Sequence, residues 1–163
     1  MTPVHPDTLQ ALSTGIQAEV ASYVFYIEAA KKANNDEQKA ILEKLAFEEK
    51  DHFHILERQY DSLIRTEKWI STSDILKSEG LPEISEDMTN EHKSLMDEVD
   101  KAVSMETILD IAYRLEEEAY ELFHGAIDRC ETDEGKKIFT ELSKFEQGHM
   151  ILIDEMRKKL HVK

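Results

Sequence analysis

The chain has 163 residues, enough for one sizeable hydrophobic core but not for two, so a single domain over residues 1–163 is expected. A formal charge of −15 argues against nucleic acid or an anionic membrane as partner, because both need clustered Lys and Arg. With only 5 Gly and 3 Pro there is too little turn punctuation for a β protein, and the one cysteine, Cys130, allows no internal disulfide, no Cys-x-x-Cys pair and no four-cysteine metal knot.

The opening stretch, Met1 to Asp7, has no basic segment followed by an apolar one, so no signal peptide is expected. No run of about 18 apolar residues follows anywhere, so no membrane span is expected and the cytoplasm is the expected location. From about Thr8 to Ala33, residues Leu9, Leu12, Ile16, Tyr23, Tyr26 and Ala30 recur at helical spacing. Asn34-Asn35 breaks this helix, and Asn35 with Gln38 forms a capping box for the next. The second helix, about 36–64, carries Ile41, Leu42, Leu45, Phe53 and Leu56.

A segment of different character, about 65–103, follows. It contains Trp69, the Ser71-Thr72-Ser73-Asp74 cluster, Gly80 and Pro82, with short helices expected near 74–78 and 90–102. Trp69 is read as exposed, which suggests a homodimer. A third helix begins at Ser104, a good N-cap, and runs to about Cys130, which is read as a half-buried small side chain near the helix end. The fourth follows Thr132-Asp133 and continues to about residue 160. Short links within each helix pair and one long link between the pairs describe an all-α, antiparallel four-helix bundle of ferritin-like topology with one crossover.

The two helix pairs are copies of each other at an offset of 97 positions without a gap. Leu12 matches Leu109, Glu19 matches Glu116, Tyr23 matches Tyr120 and Ala29 matches Ala126. Asp36-Glu37 matches Asp133-Glu134, Ile41 matches Ile138, Leu45 matches Leu142, Glu49 matches Glu146 and His52 matches His149.

Helix arithmetic turns this repeat into geometry. The midpoint of Glu19 and Glu49 is residue 34, in the first turn, and that of Glu116 and Glu146 is residue 131, in the second. Each pair therefore stands at one height, roughly 22 Å from its turn at 1.5 Å per residue. Glu and His at i and i+3 share a helix face. Glu19, Glu49, His52, Glu116, Glu146 and His149 can thus converge at one level of the bundle interior. One Glu from each of two helices and a Glu-x-x-His from each of the others is the ligand pattern of two-metal carboxylate bundles. Four carboxylates balance two divalent ions, and imidazole adds affinity for iron or manganese.

A lone Glu-x-x-His is weak, since this composition yields about one copy by chance. Glu121 with His124 is such a copy, because its repeat counterparts are Val24 and Ile27, and it is read as a surface pair. Asp51 and His54 point away from Glu49 on the helical wheel and are read as solvated.

The segments Glu19-Val-Ala-Ser-Tyr-Val-Phe-Tyr26, Glu48-Glu49-Lys50-Asp51-His52, the run from Leu115 to Phe123, and Phe145-Glu146-Gln147-Gly148-His149 resemble the rubrerythrin-like branch of the ferritin-like superfamily. The resemblance covers both hairpins. It implies that Glu49 and Glu146 bridge two iron ions, with Glu19, Glu116, His52 and His149 as terminal ligands. It also implies two-electron reduction of hydrogen peroxide or dioxygen. Glu117 and Glu118 are then exposed helix charges. Manganese or a mixed iron/manganese pair is the alternative content, with zinc possible in recombinant material.

The sequence departs from that family in two places. No four-cysteine rubredoxin-like iron domain is present, so the implied electron donor is a separate rubredoxin-like protein. Ala119 stands where relatives carry an additional carboxylate, which leaves a six-ligand site and keeps open an iron-binding, storage or ferroxidase role. Tyr26, seven residues after Glu19, is placed to hydrogen-bond a ligand or a bound oxygen species and is the candidate catalytic residue. Tyr23 and Tyr120 are candidates to orient the terminal glutamates.

Overall fold

The computed structural model describes residues 4–161, so Met1 to Pro3, part of the stretch read for a signal peptide, lie outside the described residues. Seven helices and no strand occur among the described residues: α1 (Pro6–Lys31), α2 (Asp36–Thr66), α3 (Thr72–Lys77), α4 (Glu86–Asn90), α5 (Lys93–Lys101), α6 (Met105–Arg129) and α7 (Asp133–Leu160). The fold is an all-α bundle of ferritin-like topology, with α1–α2 and α6–α7 as its two hairpins and the remaining helices in the crossover.

Local chemistry sets the helix ends. Pro6 sits in the first turn of α1, where its missing N–H costs nothing. Asn35 accepts a hydrogen bond from the Gln38 amide at 2.9 Å, while the Gln38 side chain accepts one from the Asn34 amide at 2.9 Å. Ser71, Ser85, Ser104 and Thr132 cap α3, α4, α6 and α7 through their hydroxyls. Glu67 closes α2 in the left-handed region at φ 60°. The short helices expected near 74–78 and 90–102 correspond to α3 and α5, and a further short helix not expected from the sequence, α4, precedes α5 and is parted from it around His92.

Two apolar clusters occupy the two ends of the bundle. One gathers Phe25, Ala29, Leu42 and Leu45 beside the first turn with Ile108, Leu109, Ile153 and Met156 from the start of α6 and the end of α7. The other gathers Leu12, Leu56 and Leu63 with Phe123, Ala126, Phe139 and Leu142 beside the second turn. The hairpins therefore point in opposite directions, and the crossover must travel the length of the bundle. It does so in steps: Trp69, Ile70 and Ile75 join the second cluster, Ile84, Met88 and Met96 cover Val20, Val24 and Phe53 at mid-height, and Val99 enters the first. Glu19, Glu49, Glu116 and Glu146 lie in the layer between the clusters.

Three readings of exposure change once the crossover is in place. Trp69 is half-buried, edge-on to Phe139 at 5.9 Å between ring centres, so it gives no support to a homodimer. His54 is buried and its Nε2 lies 2.9 Å from the Pro82 carbonyl oxygen, because the crossover covers that face of α2; Asp51 is exposed. Cys130 is buried at the end of α6, where Gly135 leaves room for it: a Cβ at Gly135 would meet Cys130 Sγ at 2.2 Å and the Trp69 ring at 2.7 Å. No described helix is long and apolar enough to cross a membrane.

Candidate metal centre

The α1 and α6 backbones pack closely against each other, whereas α2 and α7 stand further apart, and in the layer between the two apolar clusters the space among the four helices holds acidic side chains. α1 supplies Glu19, α2 supplies Glu49 and His52, α6 supplies Glu116, and α7 supplies Glu146 and His149. All four glutamates are 0% exposed, and His52 and His149 are 3% and 6% exposed. The structure brings together every residue of the six-membered set.

Two overlapping groups emerge. Glu19, Glu49, His52 and Glu146 have ligand atoms within 4.8 Å of one another, and so do Glu49, Glu116, Glu146 and His149. Glu49 and Glu146 belong to both. Each histidine turns Nδ1 inward. His52 Nδ1 lies 3.1 Å from Glu146 Oε1 and 3.5 Å from Glu19 Oε2. His149 Nδ1 lies 2.8 Å from Glu49 Oε1 and 3.3 Å from Glu116 Oε1. The two imidazoles are stacked, with centres 5.7 Å apart.

The donor set fits a pair of cations. Both oxygens of Glu19, both of Glu49, and Oε2 of Glu116 and Glu146 are buried without a hydrogen-bond partner. Leaving such groups unpaired is costly, and a cation is the partner that would satisfy all of them together. His149 Nδ1 and Glu49 Oε1 approach to 2.8 Å without hydrogen-bond alignment. Neighbouring ligands on one ion with bonds of ~2.1 Å stand about 3 Å apart, so this spacing suits two donors aimed at a common centre.

Proton distribution leads to the same view. Burial, then the charges of Glu146 and Glu49, holds Glu19 well above the usual carboxylate range. Burial, then Glu49 and Glu146, does the same to Glu116. Burial also opposes charge on Glu49, yet its contacts with Glu19, His149 and His52 outweigh this and hold it well below that range. Burial disfavours charge on both imidazoles, but the carboxylates around His52 and His149 raise them far above their ordinary value. Repulsion among buried carboxylates that raises their proton affinity is what a pair of divalent ions bound among them would relieve.

Two side chains support the cluster from outside. Tyr26, fully buried, donates from its hydroxyl to Glu116 Oε1 at 2.6 Å. Burial and the neighbouring Glu116 push the Tyr26 phenol well above its ordinary value, so it remains a donor. His149 Nε2 lies 2.7 Å from Glu48 Oε2. Sequence reasoning did not single out Glu48; the available signal was a second acid next to Glu49, which the wheel alone cannot direct to a histidine on another helix. Tyr23 gives no hydrogen bond to Glu19, whose oxygens have none, and Tyr120 stacks on His124 at 5.3 Å instead of holding Glu116. Glu117, Glu118, Glu121 and His124 are exposed, and Ala119 is buried among apolar neighbours. A cleft of about 480 Å³ between α2 and α7, lined by Glu48, His52, Leu76, Phe145 and His149 among others, opens beside the cluster.

Bundle topology, buried carboxylates and paired Glu-x-x-His motifs define a ferritin-like protein with a site suited to two metal ions. The Rubrerythrin family model matches residues 10–156, and the chain belongs to that family. No curated protein and no solved structure matches it at a significant level.

Proposed function

We propose that Glu19, Glu49, His52, Glu116, Glu146 and His149 hold two iron ions, and that the protein reduces hydrogen peroxide or dioxygen there. The observation that carries this reading is the sharing of Glu49 and Glu146 between two ligand groups of otherwise separate membership. A shared carboxylate pair holds two ions close enough to act on one small molecule. Ferrous iron held by these residues would supply the two electrons that, with two protons, convert one hydrogen peroxide to two waters.

The chain's own residues would set the conditions. The apolar clusters on either side of the acidic layer restrict water, and the cleft beside His52 and His149 admits a small oxidant. Tyr26 keeps Glu116 in one orientation through its hydroxyl. Cys130 is the only cysteine in these 163 residues, so the electrons would come from a donor outside them, such as a separate rubredoxin-like protein. The cytoplasm, where reduced carriers are maintained, suits that exchange.

A second reading, ferroxidase or iron-handling without peroxidase turnover, is favoured by one feature. Ala119 is buried one turn after Glu116, and Glu117 and Glu118 face solvent, so α6 offers no further carboxylate to the cluster. Anaerobic loading with ferrous iron followed by one equivalent of peroxide or dioxygen separates the readings. Rapid oxidation by peroxide, repeated when an external reductant is present, supports the peroxidase. Faster oxidation by dioxygen with release or storage of ferric iron supports the alternative. A loaded protein whose iron neither oxidant changes would remove both.

A further inference from the structure

The ligands of the two halves are repeat copies, but their surroundings are not. Position 48 holds Glu48, whereas its counterpart 97 residues on is Phe145; position 26 holds Tyr26, whereas its counterpart is Phe123. Both departures favour the same end of the site. Glu48 lies 2.7 Å from His149 Nε2, and Tyr26 donates to Glu116 at 2.6 Å. His149 and Glu116 are the unshared ligands of one group.

The unshared ligands of the other group, Glu19 and His52, have no such support. Both Glu19 oxygens lack a hydrogen-bond partner. The His52 ring meets Phe145 at 5.0 Å between centres, a contact that offers no acceptor to its outer nitrogen. Phe123, fully buried against Gly15, has no hydroxyl to give.

From this juxtaposition we infer that the two ion positions are unequal: the position between Glu116 and His149 fills first and holds its ion, and the position between Glu19 and His52 is the exchangeable one. The inference rests on the two-metal reading. A carboxylate on the outer N–H of an imidazole fixes the tautomer that leaves a lone pair on the inner nitrogen and makes that nitrogen a stronger donor. A hydrogen bond to one oxygen of Glu116 limits the rotation of its carboxylate before any ion arrives. His52 and Glu19 must instead be ordered when the ion binds. Access does not explain the difference, since both histidines line the same cleft. Glu48 and Tyr26 are thus positioning residues for one ion of the pair.

The test uses the full chain freed of metal and cobalt(II) as probe. In crystals grown with one equivalent of cobalt, anomalous scattering is expected beside Glu116 and His149; a peak beside Glu19 and His52, or equal peaks, would overturn the inference. In solution, two binding steps are expected. Glu48→Ala and Tyr26→Phe should each weaken the tighter step by about 10- to 100-fold and leave the weaker step nearly unchanged. Phe145→Glu, which supplies His52 with the missing acceptor, should tighten the weaker step. Equal changes in both steps, or a change confined to the weaker step in Glu48→Ala, would overturn it, as would two ions bound with one common affinity. A chain that takes up no cobalt would instead remove the two-metal reading itself, so the two failures are distinct. Circular dichroism on each variant identifies any that have lost the helical fold, and the crystal experiment needs no variant.

Discussion

Glu49 on α2 and Glu146 on α7 occupy the same repeat position, and each is a member of both ligand groups. Their role differs from that of the four residues that belong to one group only. Removing a shared ligand should therefore cost both ions. The native chain is expected to bind two equivalents of ferrous or cobalt ion. Glu146→Ala should bind fewer than one at the same free concentration, while Glu19→Ala should retain about one. Elemental analysis after equilibrium dialysis measures this, and equal losses in the two variants would count against shared ligation.

Metal loading should release protons. Glu19, Glu116, His52 and His149 all hold protons more tightly in the folded chain than in isolation. Ligation requires carboxylates and neutral imidazoles, so these protons must leave as ions enter. Net proton release is expected in a weakly buffered titration at neutral pH, and apparent affinity should fall as pH is lowered. Ion binding without proton release would contradict the charge distribution described above.

The same shifts set the pH dependence of the ion-free fold. Groups whose folded values are raised bind more protons folded than unfolded, so their contribution is complete below the unfolded value and is lost as pH rises. For Glu19 and Glu116 the loss begins above the ordinary carboxylate value of 4.5, and for His52 and His149 above 6.5. Glu49 and Glu48 are lowered and act in the opposite sense, their contribution being lost as pH falls. Because the raised groups outnumber the lowered ones at the site, the ion-free protein should have a lower Tm at pH 8 than at pH 6, and loading should reduce that difference. Calorimetry of both forms at the two pH values is the check.

Tyr26→Phe removes the hydroxyl that donates to Glu116 and leaves the ring, which packs edge-on against Phe25 at 5.2 Å. A buried hydrogen bond between neutral groups contributes about 0.5–1.5 kcal/mol, so the ion-free variant, in which Glu116 is held above the usual carboxylate range, should lose stability of that order. Chemical denaturation of the native chain and the variant would show it. An unchanged midpoint would mean that water replaces the hydroxyl.

Gly135→Ala should destabilise the second hairpin turn, because the new Cβ would fall 2.2 Å from Cys130 Sγ and 2.7 Å from the Trp69 ring. Overpacking of this kind costs about 1–3 kcal/mol. Gly125→Ala is the contrast: nothing lies within 4 Å of its Cβ position, and an exposed mid-helix Gly→Ala change should stabilise by about 0.5–1 kcal/mol. Thermal denaturation should move the two variants in opposite directions.

The helices and the convergence of six candidate ligands were determined by the sequence, because both follow from local quantities. Periodicity tells which face a residue occupies, capping residues tell where a helix starts, and the repeat of 97 positions fixes the relative heights of Glu19, Glu49, Glu116 and Glu146 once a turn joins each pair. What lies over an outward-facing residue is not local. By its direction on the wheel His54 faces solvent, yet the Pro82 carbonyl covers it, and Trp69 reads as a surface residue, yet it packs on Phe139, because the path of the crossover decides both. The inequality between Glu48 beside His149 and Phe145 beside His52 depends in the same way on contacts between α2 and α7, elements about 100 residues apart in the chain. A helical wheel gives the direction in which a side chain leaves its own helix, but only tertiary packing supplies the partner it meets there.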